Sequence, residues 1–179
     1  MLPYITGNSH LLFKSMASIL KSLSDFSHIE IPSGKDYMIG IVVAQWNAEI
    51  TGALYNGACS ALFKNGVLED NILTVQVPGS FELTSGADIL LSSKKLDAVI
   101  CLGCVIQGET PHFTFICNAV ANGLVNVSIK HNKPVIFGVL TTDNQQQAKD
   151  RAGGKHGNKG EEAAVTAIMM AEVQANAAQ

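Results

Sequence analysis

Four apolar, β-branched runs punctuate the chain: Met38 to Ala44, Ile72 to Val77, Ala98 to Leu102 and Val135 to Leu140. The first shows no polar alternation, the mark of a strand buried on both faces, and the other three read the same way. A helical period follows each run. Leu54, Ala58, Ala61 and Leu62 fall at i, i+4, i+7 and i+8, one buried helix face. Leu83, Ala87, Leu90 and Leu91 repeat that spacing, and Phe113, Ile116, Cys117, Val120, Leu124 and Val127 extend it over a longer helix. A short helix is expected from Asn144 to Ala152, stopped by Gly153-Gly154. A last helix opens near Lys159 and buries Val165, Ile168 and Met169.

Strands alternating with helices through short connections imply right-handed βαβ units and a parallel sheet. The expected fold is α/β: a three-layer α/β/α sandwich on a four-stranded parallel sheet. Residues 37–179 form one domain, with no internal repeat or linker. Residues 1–36 are Ser-rich, carry Lys14 and Lys21 and lack arginine. They read as a partly ordered N-terminal arm, not as an Arg-bearing transit peptide. Leu11 to Phe13 is too short an apolar core for a secretory signal, and Met16 is a possible internal start. Four strands leave exposed sheet edges, which the arm of a neighbouring copy could cover.

Composition narrows the function. The chain is 47% hydrophobic and 15% charged, below the usual quarter, so much of its surface is uncharged and open to subunit contacts. A net charge of −3 argues against a nucleic-acid surface. No run of about 18 apolar residues predicts a membrane span. The Cys101-Leu-Gly-Cys104 spacing formally matches a redox or zinc half-site. It ends a strand instead of opening a helix, and neither Cys59 nor Cys117 stands near to complete a zinc set. Buried free thiols in a reducing cytoplasm are expected, with no metal bound.

In open parallel sheets ligands bind beyond the carboxyl ends of the strands. The segments there are Gln45-Trp46-Asn47, Pro78 to Glu82, Gly103 to His112 and Thr141 to Asp143. Thr110 is placed to cap a helix, with Pro111 at its first position. Next to Gly108, that helix start suits an anion, although ordinary capping explains it equally well. His112 lies in the first turn, where the positive helix end favours a neutral imidazole suited to act as a base. Trp46 is either a stacking platform or core. Glu82 suits a helix start on dipole grounds alone. Arg151 to Gly160 sets cations among glycines, a phosphate-binding composition or a solvated basic loop. It lacks the P-loop frame.

Five segments together resemble the lumazine synthase family from about Tyr37 onward. They are Gly40 to Asn47 with Ile50-Thr51, Val77 to Glu82, Leu102 to His112, Phe137 to Thr142, and Arg151 to Gly160. The resemblance implies a flavodoxin-like fold and a reaction without metal or organic cofactor. That reaction condenses 5-amino-6-(D-ribitylamino)uracil with 3,4-dihydroxy-2-butanone 4-phosphate to give 6,7-dimethyl-8-ribityllumazine, phosphate and water. By resemblance, Trp46 stacks on the pyrimidine, and Ser80, Phe81 and Glu82 bind the ribityl chain. Val105 and Ile106 line the ring pocket, beside Cys104. Gly108, Glu109 and Thr110 meet the phosphate, and His112 moves protons. Phe137, Arg151 and Lys159 come from a neighbouring subunit, with Arg151 clamping the phosphate and Lys159 meeting a pyrimidine carbonyl. Asp150 is expected to orient His112 or to pair with Arg151. Cys104 stands where other members often have Thr, and Gln107 where many have Arg.

The same resemblance implies a homo-oligomer, a pentamer, and the ungapped Gly154 to Asn158 stretch suggests an icosahedral shell of pentamers. Such a shell could hold riboflavin synthase as cargo. An archaeal-type riboflavin synthase and a non-catalytic flavin- or lumazine-binding shell protein are the alternative readings.

Overall fold

The computed structural model describes residues 24–177. The readings of Leu11 to Phe13, Lys14, Met16 and Lys21 lie outside the described residues. Strand β1 (Ile39–Ala44) is buried at every position. It leads through Asn47 into helix α1 (Ala48–Lys64). A single 3₁₀ turn, Glu69–Asn71, precedes β2 (Ile72–Val77). There follow α2 (Leu83–Ser93), β3 (Ala98–Ile106), α3 (His112–His131) and β4 (Val135–Thr142). The chain closes with α4 (Gln145–Arg151), the short strands β5 (Ala152–Gly154) and β6 (Gly157–Asn158), and α5 (Lys159–Ala177).

The four long strands form one parallel sheet in the order β2-β1-β3-β4. Right-handed crossovers then dictate the layers. The chain moves one way from β1 to β2, so α1 lies on one face. It moves the other way from β2 to β3 and on to β4, so α2 and α3 lie on the opposite face. Two apolar clusters match this division. Leu54, Ala58 and Leu62 of α1 join Ala163, Ala164, Ala167 and Ile168 of α5 on one side. Leu83, Ala87 and Leu90 of α2 join Val120, Leu124 and Val127 of α3 on the other. The expected three-layer sandwich is what forms.

Several boundaries differ from the sequence reading. β3 and β4 run past Leu102 and Leu140, so Cys104, Val105, Ile106, Thr141 and Thr142 are strand residues paired in register. Gly103 is no turn residue: a Cβ there would sit 2.7 Å from the Ser80 hydroxyl, so glycine serves close packing. β2 is only half-buried, with Thr74 and Gln76 exposed, as an edge strand is. Gly153-Gly154 does not simply end a helix. It enters an antiparallel hairpin with β6, where Gly153 and Gly157 have φ of 107° and 83°. Val165 and Ile168 are buried as expected, whereas Met169 is half-buried.

Candidate active site

The order β2-β1-β3-β4 creates a switch point between β1 and β3, where the chain leaves in opposite directions. Ligand crevices form at the carboxyl edge of such a point. Asn47 marks it. Its backbone is left-handed (φ 59°), a conformation Asn tolerates better than most residues, and its Nδ2 donates to the Cys104 carbonyl at 3.0 Å. That bond ties the end of β1 to the end of β3. The sequence reading named the Trp46-Asn47 segment but gave Asn47 no role; its residue type just after a strand is the signal that could have.

Trp46 is no core residue; it is 66% exposed. Its backbone N–H bonds the Pro78 carbonyl at 3.1 Å, and its ring covers Gly79 so closely that a Cβ there would lie 2.7 Å from the indole. Glu82 stands at the N-cap position of α2 and folds back, its Oε2 accepting the Gly79 N–H at 3.0 Å. The carboxylate thus holds the Pro78-Gly79-Ser80 turn against Trp46. Ser80 is buried beneath Gly103, and Phe81 is exposed.

Gly108, Glu109, Thr110 and Pro111 are all exposed between β3 and α3. The expected Thr110 cap does not form. Pro111 takes the N-cap position with φ −63° and ψ −1°, and no side chain caps α3. Proline's fixed φ already suits a helix, so it continues the turn that Thr110 was expected to start. His112 is the first residue of α3, exposed and without a hydrogen bond or ion pair among the described residues. The Gln107 N–H bonds the Thr142 carbonyl at 2.8 Å, holding the loop base to β4. Val105 and Ile106 project to opposite sheet faces, Val105 toward α2 and α3 with Phe137, and Ile106 toward α1 and α5.

The cations lie in the other layer. Arg151 spans the hairpin: Nη1 donates to the His156 carbonyl at 2.7 Å, and the guanidinium grips both oxygens of Glu162, at 2.7 and 3.0 Å. Lys159 reaches the same carboxylate at 3.2 Å. Burial pushes the Glu162 carboxyl up, but the Arg151 bond and charge, with Lys159, outweigh it and hold it below the usual glutamate range. Glu162 escaped the sequence reading. Its i, i+3 spacing from Lys159 was visible, but its bond to Arg151 requires the hairpin to turn the chain back. Among the described residues Asp150 does not form the expected pair with Arg151. It pairs with Lys155 at 3.1 Å and accepts from Gln146. No hydrogen bond or ion pair joins Arg151 or Lys159 to the Trp46, Glu82 or His112 group among the described residues.

All four cysteines are free. Burial raises the Cys101 thiol well above its ordinary range and Cys104 to about 11, the opposite of a reactive or metal-binding thiol. No cluster of His, Cys, Asp and Glu among the described residues could hold a metal. No helix among them is long and apolar enough to cross a membrane.

The 6,7-dimethyl-8-ribityllumazine synthase family model matches residues 36–175. A relative of that name from Cytophaga hutchinsonii is 61% identical over 155 residues, 87% of this chain and 97% of the relative. One from Parabacteroides distasonis is 51% identical over 160 residues, covering 89% of this chain and all of the relative. One from Porphyromonas gingivalis is 50% identical over 159 residues, 89% of this chain and 99% of the relative. None of these names points to a riboflavin synthase or an idle shell protein. On the full span of these matches, the chain belongs to the 6,7-dimethyl-8-ribityllumazine synthase family, enzymes of riboflavin biosynthesis.

Proposed function

We propose that the chain condenses 5-amino-6-(D-ribitylamino)uracil with 3,4-dihydroxy-2-butanone 4-phosphate at sites shared between two copies of itself. The carrying observation is the separation of two half-sites. Exposed Trp46, Phe81 and His112 gather at the carboxyl edge of the sheet, while Arg151 and Lys159 cluster on the opposite layer. A second copy brings the cations and Phe137 to the first copy's edge.

The uracil's 5-amino nitrogen attacks the ketone carbonyl, and water leaves as the imine forms. A proton is then lost from carbon, the carbon–oxygen bond to phosphate breaks, and phosphate departs with the electron pair. Loss of phosphate leaves an enol, which takes a proton at the former phosphate-bearing carbon and so becomes a methyl ketone. The ribityl-bearing nitrogen attacks this new carbonyl and closes the ring, losing water. Both substrates are reactive, so the protein chiefly orients them and moves protons. Trp46 stacks on the pyrimidine, and Val105 and Ile106 flank it near Cys104. Ser80, Phe81 and Glu82 hold the ribityl chain. Gly108, Glu109 and Thr110 receive the phosphate at the uncapped start of α3, where a helix end favours an anion. His112 carries protons, Arg151 clamps the phosphate, and Lys159 meets a pyrimidine carbonyl.

The surface supports assembly. Phe115, Val125 and Ile129 of α3 and Ile89 of α2 are 71, 58, 74 and 66% exposed, an apolar face suited to a partner subunit. Only Lys155 and His156 separate Gly154 from Gly157, so the hairpin carries no insertion. This fits a pentamer of the shell-forming type, working in the cytoplasm and able to enclose riboflavin synthase.

The direct test mixes purified protein with both substrates and follows lumazine absorbance and phosphate release together. Coupled appearance above the uncatalysed rate is expected. Background rates from an intact assembly would overturn the proposal in favour of a binding or shell protein.

A further inference from the structure

The Arg151–Glu162–Lys159 cluster has a support that none of the five motif segments contains. Ser24 lies far back in the chain, yet its Oγ accepts the Asn158 N–H at 2.8 Å. The same oxygen is 3.1 Å from the Asn158 carbonyl and 3.3 Å from Glu162 Oε1, so its proton has two acceptors. Asn158 is the seat of the cluster. Its Nδ2 donates to the Ala53 carbonyl of α1 at 3.0 Å, and its Oδ1 accepts the Gly160 N–H at 2.8 Å. A Cβ on Gly57 would lie 2.5 Å from its amide, so α1 gives it no spare room. Lys159 follows it directly, and Glu162 stands one turn along α5.

We infer that Ser24 is a positioning residue for the two cations, joining the segment before the sheet to the substrate-binding cluster. This rests on the reading that Arg151 and Lys159 serve the substrates. Both Glu162 oxygens are taken by Arg151, and Oε2 is shared with Lys159. The Ser24 hydroxyl adds a neutral donor on Oε1 and a main-chain clasp on the residue before Lys159. Three groups then fix the direction of the carboxylate, and through it the plane of the guanidinium. Without the hydroxyl, β6 keeps its side-chain anchor to α1 but loses its main-chain clasp. The cations then sample more than one arrangement, and a phosphorylated substrate must pay to order them again. The stability of the core does not depend on this contact, because Asn158 still holds α1 and α5 together.

The experiment compares Ser24→Ala and Ser24→Thr in the full-length assembled protein, with Arg151→Ala as the reference. The readouts are KM for the butanone phosphate, KM for the aminouracil, kcat and the melting temperature. Ser24→Ala is expected to raise KM for the phosphorylated substrate about three- to tenfold, the scale of one hydrogen bond, with little change in melting temperature. Ser24→Thr, which keeps the hydroxyl, is expected to restore it. An unchanged KM in Ser24→Ala while Arg151→Ala raises it would overturn the inference alone. So would a loss in melting temperature that accounts for the change, or a failure of threonine to rescue. An unchanged KM in Arg151→Ala would instead remove the reading of the cluster, and the inference with it.

Discussion

Substituting Gly160 by alanine tests the closest approach in the fold. Gly160 opens α5 where it crosses α1, and an added Cβ would fall almost on the Leu54 carbonyl oxygen. It would also lie 2.7 Å from the carbonyl carbon and 3.0 Å from Asn158 Oδ1. Carbon atoms sit comfortably at about 3.5–4.0 Å, so the helices must part by roughly 1 Å or more. The obstacle is backbone in a helix interior and cannot rotate away. Leu54 is fully buried, as are Ala164, Ala167 and Ile168 on the facing helix, so parting the helices loosens one whole side of the core. Overpacking of this kind costs about 1–3 kcal/mol where side chains can yield, so about 3 kcal/mol or more is expected against backbone. At roughly 2–4 °C per kcal/mol for a domain of this size, the melting temperature should fall by about 6–12 °C. The control is Gly52→Ala in α1, where a Cβ meets nothing within 4 Å. It should gain up to about 1 kcal/mol from helix propensity alone. Thermal unfolding followed by circular dichroism at fixed protomer concentration measures both. Equal melting temperatures for Gly160→Ala and the parent would refute the α1–α5 contact as described.

The other expectations concern the site and its charges. Replacing His112 by alanine should slow lumazine formation by about a hundredfold while sparing assembly, measured by steady-state kinetics and sedimentation; an undiminished rate would remove its proton-transfer role. Arg151→Ala should weaken use of the butanone phosphate more than of the aminouracil, so a KM for the phosphate unaltered by the change would mean the clamp is misplaced. The folded Glu162 carboxyl titrates below its unfolded value, so its contribution is present above the ordinary glutamate range and is lost as pH falls through the lowered folded value. Glu162→Gln should therefore be less stable than the parent near neutrality and converge on it in acid, and parallel pH–stability curves would show that the ion pairs contribute nothing. Iodoacetamide on the native protein near pH 8 should leave Cys101 and Cys104 unmodified, and mass spectrometry finding either alkylated would contradict their burial.

Apolar runs and helical spacing carried most of the fold because burial on two faces leaves a direct trace in the sequence. The strand ends were harder to read for a physical reason. Gly103 looks like a turn, yet its missing Cβ makes room for Ser80, and β3 continues to Ile106. Thr141 and Thr142 look like loop residues by polarity, but β-branching suits the strand they extend. The β5–β6 hairpin is too short to show a period, and its glycines read equally as a loop.

The candidate site divides along the same line. Residues close together in the chain, such as Gly79 and Glu82, or Trp46 and Asn47, stand just past the carboxyl end of a strand, where a parallel sheet binds its ligands. Position past a strand tells nothing of exposure or pairing. Trp46 is exposed because β1 ends at Ala44 and Gly79 gives its ring a flat seat, and both facts need three dimensions. Glu162 meets Arg151 only because the hairpin brings Arg151 back onto α5. Local chemistry names the groups at a sheet edge, but the ion pairs that aim them depend on chain reversals that leave almost no periodic signal. The two half-sites of the proposed function follow the same division. In one chain Arg151 and Lys159 pair with Glu162 and make no bond to His112 among the described residues. The proposed site needs the edge of another copy, so activity should disappear with dissociation even when each subunit stays folded. Dilution that abolishes turnover before it changes the circular dichroism spectrum is the expected result, and full activity in folded monomers would refute the shared site.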